Sequence, residues 1–348
     1  MRLSSMHLDA LLSGLLARKP AALARAISIV ENGRAGFEQL LAAIHRDIGR
    51  AYRIGMTGPP GAGKSTLTER LVSAYRARGL TVAVVAVDPT SPFSGGALLG
   101  DRIRMESVSL DSGVFIRSMA TRGSLGGLAM TTREVCDVLD AAGFDRLIVE
   151  TVGVGQSELD VSRMTDTSVL LLVPESGDGI QTLKSGVMEV ADVFIVNKAD
   201  RPGADKLRQE IEITLGIRQG NAFRHVRAHH GARVPSAISP AQPAAEAWAQ
   251  PVLATVAAKG EGVDAVVDAL EQHRTWLEKT GELRERRRRR LAERTREVVD
   301  RALGHWVWAE TRAGQAISER LDDVESGRVS PYEVAAAILD GIKQGAKI

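Results

Sequence analysis

Gly58-Pro59-Pro60-Gly61-Ala62-Gly63-Lys64-Ser65 fits the pattern G-x-x-x-x-G-K-[ST]. The apolar run 52–56 in front of it reads as a buried strand, and residues 66–78 behind it, beginning with Thr66, read as a helix. A glycine-rich loop at that junction lets backbone N–H groups surround phosphate oxygens. The helix N-terminus adds a partial positive charge. Lys64 is placed to reach the β- and γ-phosphates, and Ser65 to ligate Mg²⁺. The expected ligand is a nucleoside triphosphate.

Six further apolar runs follow at 82–87, 114–116, 147–149, 169–173, 193–196 and 252–256. Most are nearly continuous and β-branched, as in strands buried on both faces of a parallel sheet, and helical stretches separate them. The expected fold is α/β: a doubly wound, mainly parallel sheet with ligands at the carboxyl ends of its strands. Asn197-Lys198-Ala199-Asp200 stands at one such end. Its Asp can accept two hydrogen bonds from the N1–H and exocyclic amine of guanine. Adenine lacks that donor pair, so the carboxylate would go unpaired.

Composition narrows the alternatives. The formal net charge is only +2, so no positive field favours nucleic acid. The five-arginine run Arg286 to Arg290 is flanked by Glu282, Glu285, Glu293 and Glu297 and winds right around a helix, which gives no one-sided basic stripe. One cysteine, Cys136, forms no internal disulfide and no Cys-rich zinc site, and His225, His229 and His230 read as a polar loop. No apolar run approaches the ~20 residues that span a bilayer, and the N-terminus shows no secretory pattern. The expectation is a cytoplasmic protein bound to neither membrane nor nucleic acid.

Three parts are expected: an N-terminal helical segment (1–50), a nucleotide-binding domain (51–272) and a C-terminal helical arm (273–348). Residues 7–48 repeat apolar positions at helical spacing, with Asn32-Gly33 breaking the run. In the arm, Val298, Leu303, Trp306 and Trp308 are apolar. Residues 322–329 read as a loop before a final helix capped by Ser330 with Pro331 in its first turn.

Carboxylates at neighbouring strand ends suit Mg²⁺, which prefers hard oxygens. Asp88 follows the run 82–87, Glu150 follows 147–149, and Asp101 lies between them in sequence. In Glu150-Thr151-Val152-Gly153 a Glu stands where Ras-like GTPases carry Asp in D-x-x-G.

Two longer stretches complete the pattern. Residues 95–105 read Gly-Gly-Ala-Leu-Leu-Gly-Asp-Arg-Ile-Arg-Met, and residues 150–158 read Glu-Thr-Val-Gly-Val-Gly-Gln-Ser-Glu. Together with the glycine-rich loop, Asp88-Pro89-Thr90-Ser91 and residues 197–200, they resemble the MeaB/ArgK/MMAA family over residues 8–340. Those proteins are P-loop GTPases that act as chaperones for cobalamin-dependent acyl-CoA mutases. The resemblance implies Lys64, Ser65 and Thr66 on phosphates and metal, and Asp88, Asp101 and Glu150 in a Mg²⁺ shell. It also implies Asp200 on guanine, Asn197 and Lys198 beside it, and GTP or GDP as ligand. Asp101, Asp88 and Gln156 are candidates to orient the attacking water. Residues 177–184, with Asp178, Gln181 and Lys184, look like a switch toward the mutase, and the C-terminal arm looks like a homodimerisation segment. No D-x-H-x-x-G signature is present, so adenosylcobalamin is expected on the partner. One departure stands out: the family places a Ser-Ala or Ser-Gly pair after the last strand to touch guanine, and here Val256-Ala257-Ala258 stands there. The Ala257 N–H is the group left to serve.

Two other readings make different demands. A transport-system kinase needs an acceptor pocket. A GTP-dependent metallochaperone usually needs a Cys-x-x-Cys or His-rich loop.

Overall fold

Strand formation here follows from burial on both faces. The computed structural model describes residues 5–88, 105–120, 125–151, 157–174, 187–218 and 247–343. Seven strands, β1 (Tyr52–Thr57), β2 (Val82–Asp88), β3 (Val114–Ala120), β4 (Arg146–Thr151), β5 (Thr167–Leu172), β6 (Val193–Asn197) and β7 (Val252–Thr255), form one parallel sheet in the order β3-β2-β4-β1-β5-β6-β7. The expected α/β architecture and all seven runs are present. β7 ends at Thr255, one residue early, because Val256 turns to pair with Glu261 in an isolated antiparallel bridge.

The chain divides into two compact units, Met1–Arg284 and Glu285–Ile348. In the first, α1 (Ser5–Leu16), α2 (Pro20–Glu31) and α3 (Phe37–Ile44) precede β1. Then come α4 (Lys64–Ala77), α5 (Glu106–Ser109), α6 (Leu125–Ala141), α7 (Ser157–Met164), α8 (Val187–Val190), α9 (Ala204–Arg218) and α10 (Val263–Thr280). Alternation along β2 sorts side chains to the two faces: Val82 and Val84 pack with Leu67, Leu71 and Val266 of α4 and α10. Ala83, Val85 and Val87 pack with Leu15, Ile27, Leu40 and Val138 of α1, α2, α3 and α6. Residues 7–48 thus contribute core, with each buried Leu or Ile stabilising by about 1.5–3 kcal/mol.

The junction into β1 is pinned by one buried carboxylate. Asp140 accepts the backbone N–H groups of Gly49, Arg50 and Ala51 at 2.9, 3.1 and 2.9 Å. Arg53 bridges Asp140 and Asp137 at 2.9 and 2.8 Å. Burial works against the Arg53 charge, but these two carboxylates override it and raise its pKa. At the amino edge of the sheet, the Tyr52 hydroxyl donates to Leu270 O at 3.0 Å and also pairs with Thr167, whose own hydroxyl meets His273 Nδ1 at 2.7 Å. This fixes α10 against β1 and β5.

The second unit begins within α11 (Glu282–His305), which runs into a π-helical turn, Trp306–Glu310, then α12 (Ala313–Glu325) and α13 (Pro331–Lys343). Ala313, Val334 and Ile338 form its small core. The expected loop at 322–329 starts late, since helix continues through Glu325. Its end is a Schellman motif centred on Gly327 (φ 71°). Gly327 N–H donates to Val324 O at 3.1 Å, and Arg328 N–H to Asp323 O at 2.9 Å. Those bonds satisfy the terminal carbonyls and favour helix through the first residues of the expected loop. The cap at Ser330 is a full capping box: Glu333 N–H donates to Ser330 Oγ at 3.2 Å, and Ser330 N–H to Glu333 Oε2 at 2.7 Å.

Candidate nucleotide site

Residues at the carboxyl ends of β1, β4, β6 and β7 meet at one edge of the sheet. β1 is central, flanked by β4 and β5, and the glycine-rich loop leaves it between them. Two glycines there are obligatory on steric grounds. A Cβ on Gly58 (φ 143°) would lie 2.1 Å from Leu171 O, and one on Gly63 (φ 93°) would lie 2.4 Å from Asn197 Nδ2. Residues 58–63 therefore wrap closely over β5 and β6, and α4 begins at Lys64.

Lys64 is 6% exposed, and its ammonium donates to Gly58 O at 2.8 Å and Pro59 O at 3.0 Å. The cation is thus held inside the loop, over the space that the loop encircles. Ser65 Oγ donates to Glu150 Oε1 at 2.5 Å, and Glu150, opposite Met56 in the β1–β4 register, is 2% exposed. A hydroxyl and a buried carboxylate side by side are hard oxygen donors, the set that Mg²⁺ selects.

The second half of the site hangs on Asn197, which is 3% exposed. Its Nδ2 donates to Ala62 O at 2.8 Å, while Oδ1 accepts the Thr255 hydroxyl and the Ala257 N–H, both at 3.0 Å. One amide thereby ties the glycine-rich loop to β7 and the turn behind it. The Ala257 N–H expected to face guanine is directed to Asn197, a partner about 60 residues away that spacing alone does not reveal.

Lys198 adopts a left-handed conformation (φ 56°) and Ala199 N–H donates to Thr255 O at 3.0 Å. Asp200 is 42% exposed at the side chain and pairs with Lys259 Nζ at 3.1 Å. That hydrogen bond lowers the Asp200 pKa below the usual carboxylate range. Arg70, on the second turn of α4, donates to Ala257 O at 3.2 Å and Ala258 O at 2.8 Å. Pattern reading missed Arg70, Lys259 and Thr255. A cation in the turn behind the last strand was a usable signal for Lys259, whereas nothing local marks Arg70.

The backbone of Asp88 closes β2, next to β4. Its side chain, and Asp101, Gln156, Asp178, Gln181 and Lys184 altogether, lie outside the described residues. Cys136 is buried, and burial pushes its thiol up to about 12. Among the described residues no helix is long and apolar enough to cross a membrane.

Comparison with known proteins agrees with this geometry. A putative GTPase of Pyrococcus abyssi is 44% identical over 324 residues, 93% of this chain and 93% of that protein. GTPase ArgK of Escherichia coli is 35% identical over 315 residues, 89% of each. The crystal structure of a LAO/AO transport system kinase superposes with a TM-score of 0.64 at 26% identity, covering 99% of this chain and 100% of that one. The family profile "Methylmalonyl Co-A mutase-associated GTPase MeaB" matches residues 23–312. A nucleotide loop joined through Asn197 to an Asn-Lys-x-Asp turn, on a chain matched over most of its length, places this protein in the MeaB family of P-loop GTPases.

Proposed function

We propose that this protein hydrolyses GTP with Mg²⁺ and uses the nucleotide state to serve a cobalamin-dependent acyl-CoA mutase of the methylmalonyl-CoA mutase type. It would gate adenosylcobalamin loading, with the cofactor carried by the mutase, and protect the mutase from inactivation. The carrying observation is the Asn197 bridge, which puts phosphate loop and base-reading turn in one rigid frame.

In this reading Gly58, Pro59, Pro60, Gly61, Ala62 and Gly63 cradle the phosphates through backbone N–H groups. Lys64 exchanges two carbonyls for the β- and γ-phosphate oxygens. Thr66 adds an N–H from the first turn of α4. Ser65, Glu150, Asp88 and Asp101 would hold Mg²⁺, which supplies charge neutralisation on the transferring phosphoryl group. Asp200 accepts from guanine, with Lys198 beside it and Val256, Ala257 and Ala258 forming the wall of the base site. Catalysis of in-line water attack rests on positioning and electrostatics, with Asp88, Asp101 and Gln156 as candidates to orient the water.

The second unit supports self-association: Leu291, Val298, Leu303, Trp306 and Trp308 are exposed along α11 and the turn after it. A symmetric pair through this arm would bury them. The limits expected at 50 and 272 differ from the two compact units, which divide after Arg284, and 272 falls inside α10.

Guanine selection is tested by titrating GDP and XDP (xanthosine diphosphate) against wild type and Asp200→Asn. Wild type should prefer GDP and the variant XDP. The client is tested by adding a cognate acyl-CoA mutase and measuring phosphate release. Faster release supports the chaperone reading. Phosphate transfer to a protein or small-molecule acceptor would favour the kinase reading.

A further inference from the structure

The turn after β7 carries no hydroxyl at Val256, and the side chain that faces Asp200 is Lys259. The turn is tightly closed. Val256 N–H donates to Glu261 O at 3.0 Å, Lys259 N–H to Val256 O at 2.9 Å and Gly260 N–H to Ala257 O at 3.1 Å. Gly260 and Gly262 take φ of 79° and 77°, and a Cβ on Gly262 would lie 2.3 Å from Ala254 O. Arg70 holds the Ala257 and Ala258 carbonyls, and Asn197 holds the Ala257 N–H. The side chains at 256, 257 and 258 carry no polar atom, so within residues 256–259 only Lys259 offers a side-chain donor. Its ammonium lies 3.1 Å from Asp200 Oδ2.

We infer that Lys259 is a specificity-determining positioning residue, which orients the Asp200 carboxylate for guanine. The inference rests on the reading of Asp200 as the guanine acceptor. A carboxylate has about four lone-pair positions. Two face the guanine N1–H and amine, and a third, on Oδ2, accepts from Lys259. The ammonium therefore leaves room for the base while fixing the rotation of the carboxylate. The lowered Asp200 pKa, caused first by this hydrogen bond, agrees with a carboxylate kept ionised for two donors. The contact is exposed, with side-chain exposures of 57% for Lys259 and 42% for Asp200, so its effect is modest and salt-sensitive.

Calorimetric titration with GDP and XDP tests this on Lys259→Met and Lys259→Arg, each made alone and on Asp200→Asn. Lys259→Met should weaken GDP binding by about fivefold at about 0.05 M salt, and the gap should close toward twofold at about 0.5 M. Lys259→Arg, which retains a long cationic donor, should stay within about twofold of wild type. On Asp200→Asn, Lys259→Met should change XDP binding by less than about twofold, since the partner charge is gone. Wild-type GDP affinity in Lys259→Met overturns the inference, as does an equal loss on both backgrounds, which would mean that Lys259 acts by another route. If Asp200→Asn fails to shift preference from GDP to XDP, the guanine assignment itself falls, a result separable from any effect of Lys259. Circular dichroism of each variant guards against misfolding, which an exposed side chain on a closed turn should not cause.

Discussion

Replacing Asn197 by Ala should loosen the two halves of the site from each other and destabilise the first unit as well. The side chain satisfies three groups, the Ala62 carbonyl at 2.8 Å and the Thr255 hydroxyl and Ala257 N–H at 3.0 Å. Ala62, Thr255 and Ala257 are all nearly fully buried, so water reaches these groups poorly. At about 1 kcal/mol for each bond lost, the variant should be about 3 kcal/mol less stable. For a unit of this size that corresponds to a Tm lower by about 6 °C. Differential scanning fluorimetry measures it directly, with and without GDP. The nucleotide-induced rise in Tm should also shrink, because the stabilisation a ligand gives grows with the logarithm of its affinity for the folded chain. Asn197→Asp separates the contributions. It retains an acceptor for Thr255 and Ala257 but sets a carboxylate oxygen against Ala62 O, so it should not recover wild-type stability. A Tm within about 1 °C of wild type for Asn197→Ala, with an unchanged GDP shift, would refute the view that this amide joins loop and turn.

Three other outcomes follow from the same site. Lys64→Ala should lower GTP hydrolysis by orders of magnitude while circular dichroism stays native, since the ammonium is the main side-chain charge inside the loop; unchanged phosphate release would remove the loop from the chemistry. The intact protein should scatter light as a dimer at micromolar concentration, and Trp306→Glu with Trp308→Glu should shift it to one chain mass; a wild-type monomer would count against pairing through the arm. Gln181→Ala with Lys184→Ala should leave basal hydrolysis near wild type and cut mutase-stimulated hydrolysis several-fold. If both rates are unchanged, the switch lies elsewhere, with residues 95–105 as the next candidates.

What the sequence disclosed followed from local period and spacing. β4, β5 and β6 are buried along their whole length, so their apolar runs were plain, and the glycines and Lys64 of the loop were recognisable by order alone. The loop expected at 322–329 is confined to 326–329, because helix continues through Glu325 and the αL glycine that ends it sits at 327. The fastening of the site was invisible for another reason. Asn197 meets Ala62 across 135 positions and Arg70 meets Ala258 across 188, and no period marks such pairs. Neither did spacing show that the Ala257 N–H turns inward to Asn197.

These long-range bonds bear on how the site can move. α4 carries Lys64 at its first residue and Arg70 six residues on, a rise of about 9 Å. Its start contacts the glycine-rich loop and its second turn holds the turn after β7. Asn197 makes the same connection from the side of β6. A tilt of α4 would therefore strain both the Arg70 and the Asn197 bonds. It would also disturb Leu67, Leu71 and Val72, which are buried against the sheet. Close-packed contacts of this kind resist small displacements. In the proposed reading the γ-phosphate lies toward the Ser65 and Glu150 side chains, so a change there is met by rotation of those side chains rather than by movement of the turn after β7. On that account GDP and GTP should be held by the same base-reading turn, and the difference between them should be expressed on the carboxylate side of the phosphates.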